Sequence, residues 1–258
     1  MTEYSSLNLS EEGGIVHLCF NRPDSANCLD EVGHRELAEV IAALGARDDV
    51  RVLLMSAEGQ SFSAGGDLDM IVTANQSKPM RERLEREGIA IFVGMRAMPY
   101  PIVCALQGAA IGLGATLVAS ADIVVGWRGA KIADPHVLLG LAAGDGGVPS
   151  WSQSIGINRA KRYLLTGDAI TAAQAFDMGM VTDLVDTPEE ALPVAEAIAR
   201  RIAALPRDGV AGTKKAFAQL STHYGGGSFE LGLAYNVQAL GSPEMLDRAQ
   251  ALSKPKPK

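Results

Sequence analysis

The sequence predicts an α/β fold: a layered core of strands and helices followed by a helical C-terminal stretch. Three observations carry this reading. Short apolar, β-rich runs alternate with segments of helical period as far as Trp127. From Trp151 onward strands become scarce and amphipathic helical patterns take over. Between the two lies Gln107 to Ile123 (QGAAIGLGATLVASADI), a glycine-punctuated run that leaves an apolar strand and settles into helical spacing. Strands separated by helices imply right-handed crossovers and mixed layering. On this pattern residues 1–200 form the αβ core and 201–258 a separate helical region.

Gly14 to Phe20 (GIVHLCF) is the first strand, rich in β-formers. Asn21 to Asp30 is turn chemistry ending in Asp30, a helix N-cap. Glu31 to Arg47 has helical period, with Leu37, Val40, Ile41 and Leu44 on one side. Val50 to Ser56 is a second strand, and the loop EGQSFSAGGDLDM leads into Met70 to Arg96. Charge and Pro79 predict that the first part of that stretch is exposed and mobile, while Gly88 to Met95 reads as the buried end of a helix. Further strands are Pro101 to Leu106, Ala121 to Trp127 and a short Lys131 to Asp134. Helices follow at Asn158 to Thr166 and Ala169 to Met178, then a last strand at Met180 to Val185. Thr187 to Leu205 is amphipathic and opens with capping-box spacing, Thr187 to Glu190. Two helices, Gly209 to Ser221 and Ser228 to Leu240, are separated by Gly225 to Gly227, and the KPKPK tail is expected to fray.

Bulk properties narrow the function classes. A net charge of −7 over 258 residues argues against nucleic acid as a partner. Cys19, Cys28 and Cys104 show no CxxC spacing, so neither zinc nor a disulfide framework is indicated and all three read as reduced thiols. No signal peptide is visible, and the uncharged run Pro101 to Ala121 is rich in small residues and interrupted by Gln107. The expectation is a cytoplasmic protein without a membrane partner. His17, His34 and His223 read as structural or exposed, and Trp127 and Trp151 as packing residues.

The run from Gln107 carries chemistry as well as structure. A helix starting near Gly112 would aim unpaired N–H groups, at the positive end of its dipole, into a small space. Such a place favours an oxygen that gains negative charge during a reaction. The alternative is a buried helix whose glycines only permit close packing.

Several segments together resemble the crotonase (enoyl-CoA hydratase/isomerase) superfamily over essentially the whole chain. They are FNRPDSANCLD (Phe20 to Asp30), FSAGGDLDM (Phe62 to Met70), QGAAIGLGATL, ADIVV, LLG with its following glycines, Leu164 to Val181, and SFELGLAY (Ser228 to Tyr235). The resemblance implies a crotonase-like spiral of ββα units, a C-terminal helical region for oligomerisation, and a homotrimer or a hexamer built as a dimer of trimers. It implies an acyl-CoA substrate, with coenzyme A part of the substrate and no separate cofactor or metal. It also implies an oxyanion hole of two backbone N–H groups, which by motif belong to Gly66 and Leu113. Family members usually carry glycine where Leu113 stands, so the leucine side chain is expected to narrow the acyl pocket. By the same carry-over Ser25, Ala26, Phe62, Ala64 and Leu68 would line the coenzyme channel. Asp67 would order its loop, and Lys214 or Lys215 would either meet a coenzyme phosphate or lie on a solvated helix face.

The sequence leaves the family pattern at the acid/base positions. Hydratases of the family place two glutamates about the substrate double bond, and the matching positions here hold Thr116 and His136. A positioned acid or base contributes roughly 10²- to 10⁴-fold. Ordinary two-glutamate hydration is therefore implied by the fold and opposed by the residues. In its place stand His136 and Asp145, nine residues apart in ADPHVLLGLAAGDGG. A histidine exchanges protons near neutral pH, and a buried aspartate would fix its tautomer. The alternative is that Asp145 caps the next helix and His136 is a turn residue. The His–Asp spacing is similar to that of 6-oxocamphor hydrolase, a superfamily member that cleaves a carbon–carbon bond in a β-diketone. That enzyme's second histidine and late glutamate match Leu113 and a position near Asn236, so both are absent here. Three readings stay open at this stage: an acyl-CoA enzyme using His136 and Asp145, a β-diketone C–C hydrolase, and a non-catalytic acyl-CoA binding protein.

Overall fold

A computed structural model describes residues 4–253, with residues 222–226 and 253 described by their backbone alone. The KPKPK tail and the His223 side chain, both assigned from the sequence, lie outside what is described. The chain opens with β1 (Leu7–Glu12) and β2 (Ile15–Phe20), an antiparallel pair, and β2 then pairs in parallel with β3 (Val52–Ala57). Between β2 and β3 runs α1 (Glu31–Gly45), started by the Asp30 carboxylate, which accepts from the Val32 and Gly33 N–H groups. The sheet continues through β5 (Ile102–Leu106), β7 (Ile123–Trp127) and β10 (Asp183–Val185), all parallel. A second sheet of four short strands joins β4 (Ser61–Ser63), β6 (Ala109–Ile111), β8 (Lys131–Ala133) and β9 (Ile170–Thr171). β4, β6 and β8 each follow a strand of the large sheet in sequence, and β9 precedes the last one, which is the spiral the motifs implied.

Both faces of the large sheet are buried, so its central strands read as unbroken apolar runs rather than as alternations. Leu53 and Met55 face the main core with Leu37, Ile41 and Trp151, while Val52 and Leu54 face α8 (Ala191–Ala203). An alanine row on α8, Ala191, Ala195 and Ala199, lets that helix lie close on the sheet. The Glu190 carboxylate accepts from the Thr187 N–H before the helix begins, as the capping-box spacing predicts.

Four expectations need correction. The segment after the AGGD loop is helical from its start: α2 (Leu68–Gln76), capped by Asp67, is followed at once by α3 (Lys78–Ala97). Pro79 lies in the first turn of α3, where no intrahelical N–H bond is lost. Arg81 donates to the Ala74 and Asn75 carbonyls, closing the end of α2. Second, β1, β4 and β6 went unread and β9 was taken into a helix, because they are polar or only two or three residues long. Third, Gly147–Ile155 forms a helix, α5, followed by α6 (Ile157–Leu164) and α7 (Ala172–Met178). Fourth, the two expected C-terminal helices are one, α9 (Arg207–Leu240), which runs through Gly225 to Gly227.

The last helix, α10 (Pro243–Ser253), folds back so that Met245 and Ala249 pack with Leu139, Leu141 and Leu240. Asn75 fixes this return by donating to the Leu240 and Ser242 carbonyls. Among the described residues no helix is long and apolar enough to cross a membrane.

Candidate active site

Two glycine turns meet in the space between the sheets. Gly65 has φ +85°, and a Cβ there would lie 2.7 Å from the Ile111 carbonyl oxygen, so only glycine fits. Gly112 has φ +54° and precedes α4 (Leu113–Ser120) as its N-cap, and its N–H is tied to the Ala133 carbonyl at 2.9 Å. The Ala64, Gly65 and Asp67 amides donate to Ala26 O, Ser63 Oγ and Leu29 O. Among the described residues, the Gly66 and Leu113 amides donate to no protein acceptor. Both residues line a cavity of about 910 Å³, within the size range of small-molecule sites.

An imidazole faces the same place. A Cβ on Gly112 would lie 3.8 Å from His136 Cε1 and 3.9 Å from Gly65 Cα. His136 opens a 3₁₀ turn directly after β8, with its Nδ1 at 2.5 Å from Asp134 Oδ1. The Asp134 side chain is fully buried, and its other oxygen, Oδ2, has no partner among the described residues. On the far edge of the ring, His136 Nε2 is 3.9 Å from Asp145 Oδ2, also unpartnered, while Asp145 Oδ1 accepts from Thr116 Oγ1 at 3.1 Å and the Gly147 N–H at 3.3 Å. Spacing in the sequence pairs His136 with Asp145. The aspartate in hydrogen-bond contact is Asp134, two residues before the histidine in ADPHV, at the end of β8. Thr116, at one of the family's glutamate positions, instead braces Asp145.

Burial alone would lower the His136 pKa, but the Asp134 and Asp145 charges and the Asp134 hydrogen bond push it up to about 10. Burial, with the Asp134 charge, raises the Asp145 carboxyl above the ordinary range, against the pull of His136. Both shifts favour the protonated forms, and at neutral pH the imidazole keeps its proton. One ligand atom from each of Asp134, His136 and Asp145 falls within 4.8 Å of the others, the donor set of a small cation site. The ring, however, offers its two nitrogens to different carboxylates. That arrangement suits passing a proton better than gathering three donors on one ion.

The other assigned positions divide. Ser25, Ala64 and Leu68 line the cavity, as does Leu113. Ala26 has φ +53°, and its carbonyl anchors the AGGD loop through the Ala64 N–H. Phe62 does not reach the cavity: it is fully buried, edge-on to Phe20 at 5.4 Å, because the turn of β4 directs it into the core. Lys214 is no solvated residue, being buried with Nζ at 2.7 and 2.8 Å from the two Asp122 oxygens. Lys215 is exposed on a separate cleft beside Arg47 and Arg207 and does not meet the cavity of its own chain. His34, read as structural or exposed, is not exposed. It is buried, lines the cavity and holds Glu87. The C-terminal helices also contribute, through Leu233, Asn236, Leu240 and Leu252.

A ββα spiral that brings two glycine turns together around a cavity is the framework of a crotonase-type enzyme, here with a half-buried imidazole beside them. The chain belongs to the enoyl-CoA hydratase/isomerase family, whose model matches residues 10–232. It is 33% identical over 214 residues to a 1,2-epoxyphenylacetyl-CoA isomerase of Escherichia coli K12, covering 82% of this chain and 81% of the relative. A crystal structure of an enoyl-CoA hydratase/isomerase from Mycobacterium paratuberculosis superposes with a TM-score of 0.92 at 31% identity, over 96% of this chain and 98% of the other. A β-diketone hydrolase from the cyanobacterium Anabaena shares the fold with a TM-score of 0.83, over 92% of this chain and 95% of its own; at 22% identity that likeness concerns the fold alone.

Proposed function

We propose that this enzyme moves a proton at the carbon next to the carbonyl of an acyl-CoA thioester, as in isomerisation or hydration of an enoyl-CoA. The Gly66 and Leu113 N–H groups polarise the thioester oxygen and stabilise the enolate that forms. His136 and Asp145 exchange the proton with the α-carbon, and Asp134 holds the imidazole by its Nδ1–H. One observation carries the reading: two amides without protein acceptors open beside an imidazole flanked by carboxylates. Ser25, Ala64 and Leu68 take the coenzyme side of the cavity, and Leu113 narrows the acyl side. Exposed Phe217, Leu220, Leu231 and Tyr235 along α9 supply an apolar stripe for assembly as a trimer or a dimer of trimers, which light scattering would measure.

The test is hydrogen exchange. Incubated with butyryl-CoA in deuterium oxide, the enzyme should incorporate deuterium at the α-carbon, read by mass spectrometry. Substitution His136→Ala should slow incorporation by roughly 10²- to 10⁴-fold. No incorporation by the unaltered enzyme with any of a panel of acyl-CoA esters would overturn the reading.

A second reading rests on the missing carboxylates at positions 116 and 136. The same polarising amides would serve hydrolytic C–C cleavage of a cyclic β-diketone, with His136 and Asp145 activating water. Turnover of cyclohexane-1,3-dione derivatives without coenzyme A would favour it over the first.

A further inference from the structure

The cavity has a second polar wall that the proton-transfer chemistry does not use. His34, on α1, sets its Nδ1 2.6 Å from Glu87 Oε2, and both side chains are only 11% exposed. Glu87 Oε1 lies 3.7 Å from Arg83 Nε, which anchors the carboxylate from behind. The Glu87 carboxylate takes the Nδ1–H, leaving Nε2 as the free polar edge of the ring, and among the described residues Nε2 meets no protein partner. His34 lines the cavity in a lobe shared with Met70, Leu84 and Gly88, with Glu85 of α3 as its one further charged residue among the described residues. Gly88 leaves that lobe open, since a Cβ there would meet nothing within 4 Å.

The position of this lobe along α3 sets its distance from the reacting centre. A Cβ on Gly146, next to Asp145, would lie 2.1 Å from the Phe92 ring, so Phe92 marks the level of the acid/base pair on α3. Glu87 and Gly88 precede Phe92 by about one turn and a quarter, so the His34 edge is set off from that level by roughly 6 to 8 Å measured along the α3 axis. An extended chain advances about 1.2 Å per bond, so that span is bridged by five or six bonds. Nε2 is open to the cavity rather than sealed from it, so a ligand oxygen can take the place of the water that reaches it.

We propose that His34, held by Glu87, is a specificity-determining residue that binds an oxygen substituent, hydroxyl or oxo, about six carbons along the acyl group. Nε2 accepts from a hydroxyl when the ring is neutral and donates to a carbonyl when it is protonated. This rests on the acyl-CoA reading above and names its substrate class as oxygenated medium-length acyl groups.

The experiment compares binding of 6-hydroxyhexanoyl-CoA and hexanoyl-CoA by calorimetry. The unaltered enzyme should bind the hydroxylated ester about tenfold more tightly, as for one buried hydrogen bond. In His34→Asn the amide can keep the bond to Glu87 but has no Nε2, and the preference should vanish. In the unaltered enzyme, the His34 Nε2 resonance in a ¹⁵N spectrum should shift with the hydroxylated ester and not with the plain one, a readout that stands if the variant does not fold. Equal affinity for the two esters, a preference that survives His34→Asn, or an unmoved Nε2 resonance would overturn the proposal. Failure of both esters to bind would overturn the acyl-CoA reading, and this inference with it.

Discussion

The two walls of the reaction centre are built on different principles. One is backbone: the turns at Gly65 and Gly112, whose own amides are tied to Ser63 and Ala133, set the directions of the Gly66 and Leu113 amides. The other is side chain: Asp134, His136 and Asp145 depend on a few hydrogen bonds and on charge. A backbone wall is inseparable from the fold, so damage to it should cost stability and activity together. Among the described residues the side-chain wall holds two buried carboxylate oxygens without hydrogen-bond partners, an arrangement that costs stability. Damage to its carboxylates should cost activity far more than stability.

The largest effect is expected from the backbone wall. Gly65→Ala places a methyl 2.7 Å from the Ile111 carbonyl at φ +85°. It should lower stability by about 2 kcal/mol and activity by more than about 10³-fold. Thermal melting and α-proton exchange, measured on the same preparation, would show both losses. A variant that kept its melting temperature while losing activity would blur the distinction between the walls.

On the other wall, Asp145→Asn should reduce exchange by about 10²- to 10³-fold while leaving the melting temperature unchanged or higher. The asparagine still accepts from Thr116 and no longer buries an unpaired carboxylate oxygen. A large drop in melting temperature would mean that Asp145 chiefly braces the glycine loop. Asp134→Asn comes next, at about 10²-fold, because the ring loses its orienting acceptor but keeps its place. Since Asp134 is a positioning residue, its loss should also lower the apparent pKa of His136, visible by NMR titration. A structural role alone would leave that titration where it was.

The same division explains how much was legible. The Asp30 cap, the start of α4 at Gly112 and the core face of α1 were readable, because each depends on residues within a turn or two. The spiral came from motif order. Misread elements were those decided by distant partners. Pro79 reads as a breaker until Arg81 and α10 order the segment before it. The glycines at 225–227 read as a stop, yet α9 passes through them, held before them by Lys214 on Asp122 and after them by Phe229 on Phe92. In the site, His136 and Asp145 were found by spacing, but Asp134 was taken for part of a strand end. Its role needs the turn at Pro135 that swings the imidazole back, which no local pattern specifies. His34 went unread for a similar reason: its partner is 53 residues away on another helix.

The smallest effect concerns pH, and it tests whether the side-chain wall truly stores a proton. His136 has an ordinary pKa of 6.5, and the folded protein raises it to about 10. A raised pKa contributes stability that is complete below the unfolded value and is lost as pH rises through the folded one. The raised carboxyl of Asp145 acts in the same direction. Between pH 6.5 and 10, then, the folded state binds more protons than the unfolded chain, and melting temperature should fall as pH rises. Growing negative charge from −7 would also depress it, but that background is common to a variant lacking the ring. The comparison that matters is with His136→Asn, whose melting temperature should fall less over the same interval, by a few degrees. Parallel slopes for the two proteins would mean that the imidazole titrates normally, and that the carboxylates around it do not hold its proton.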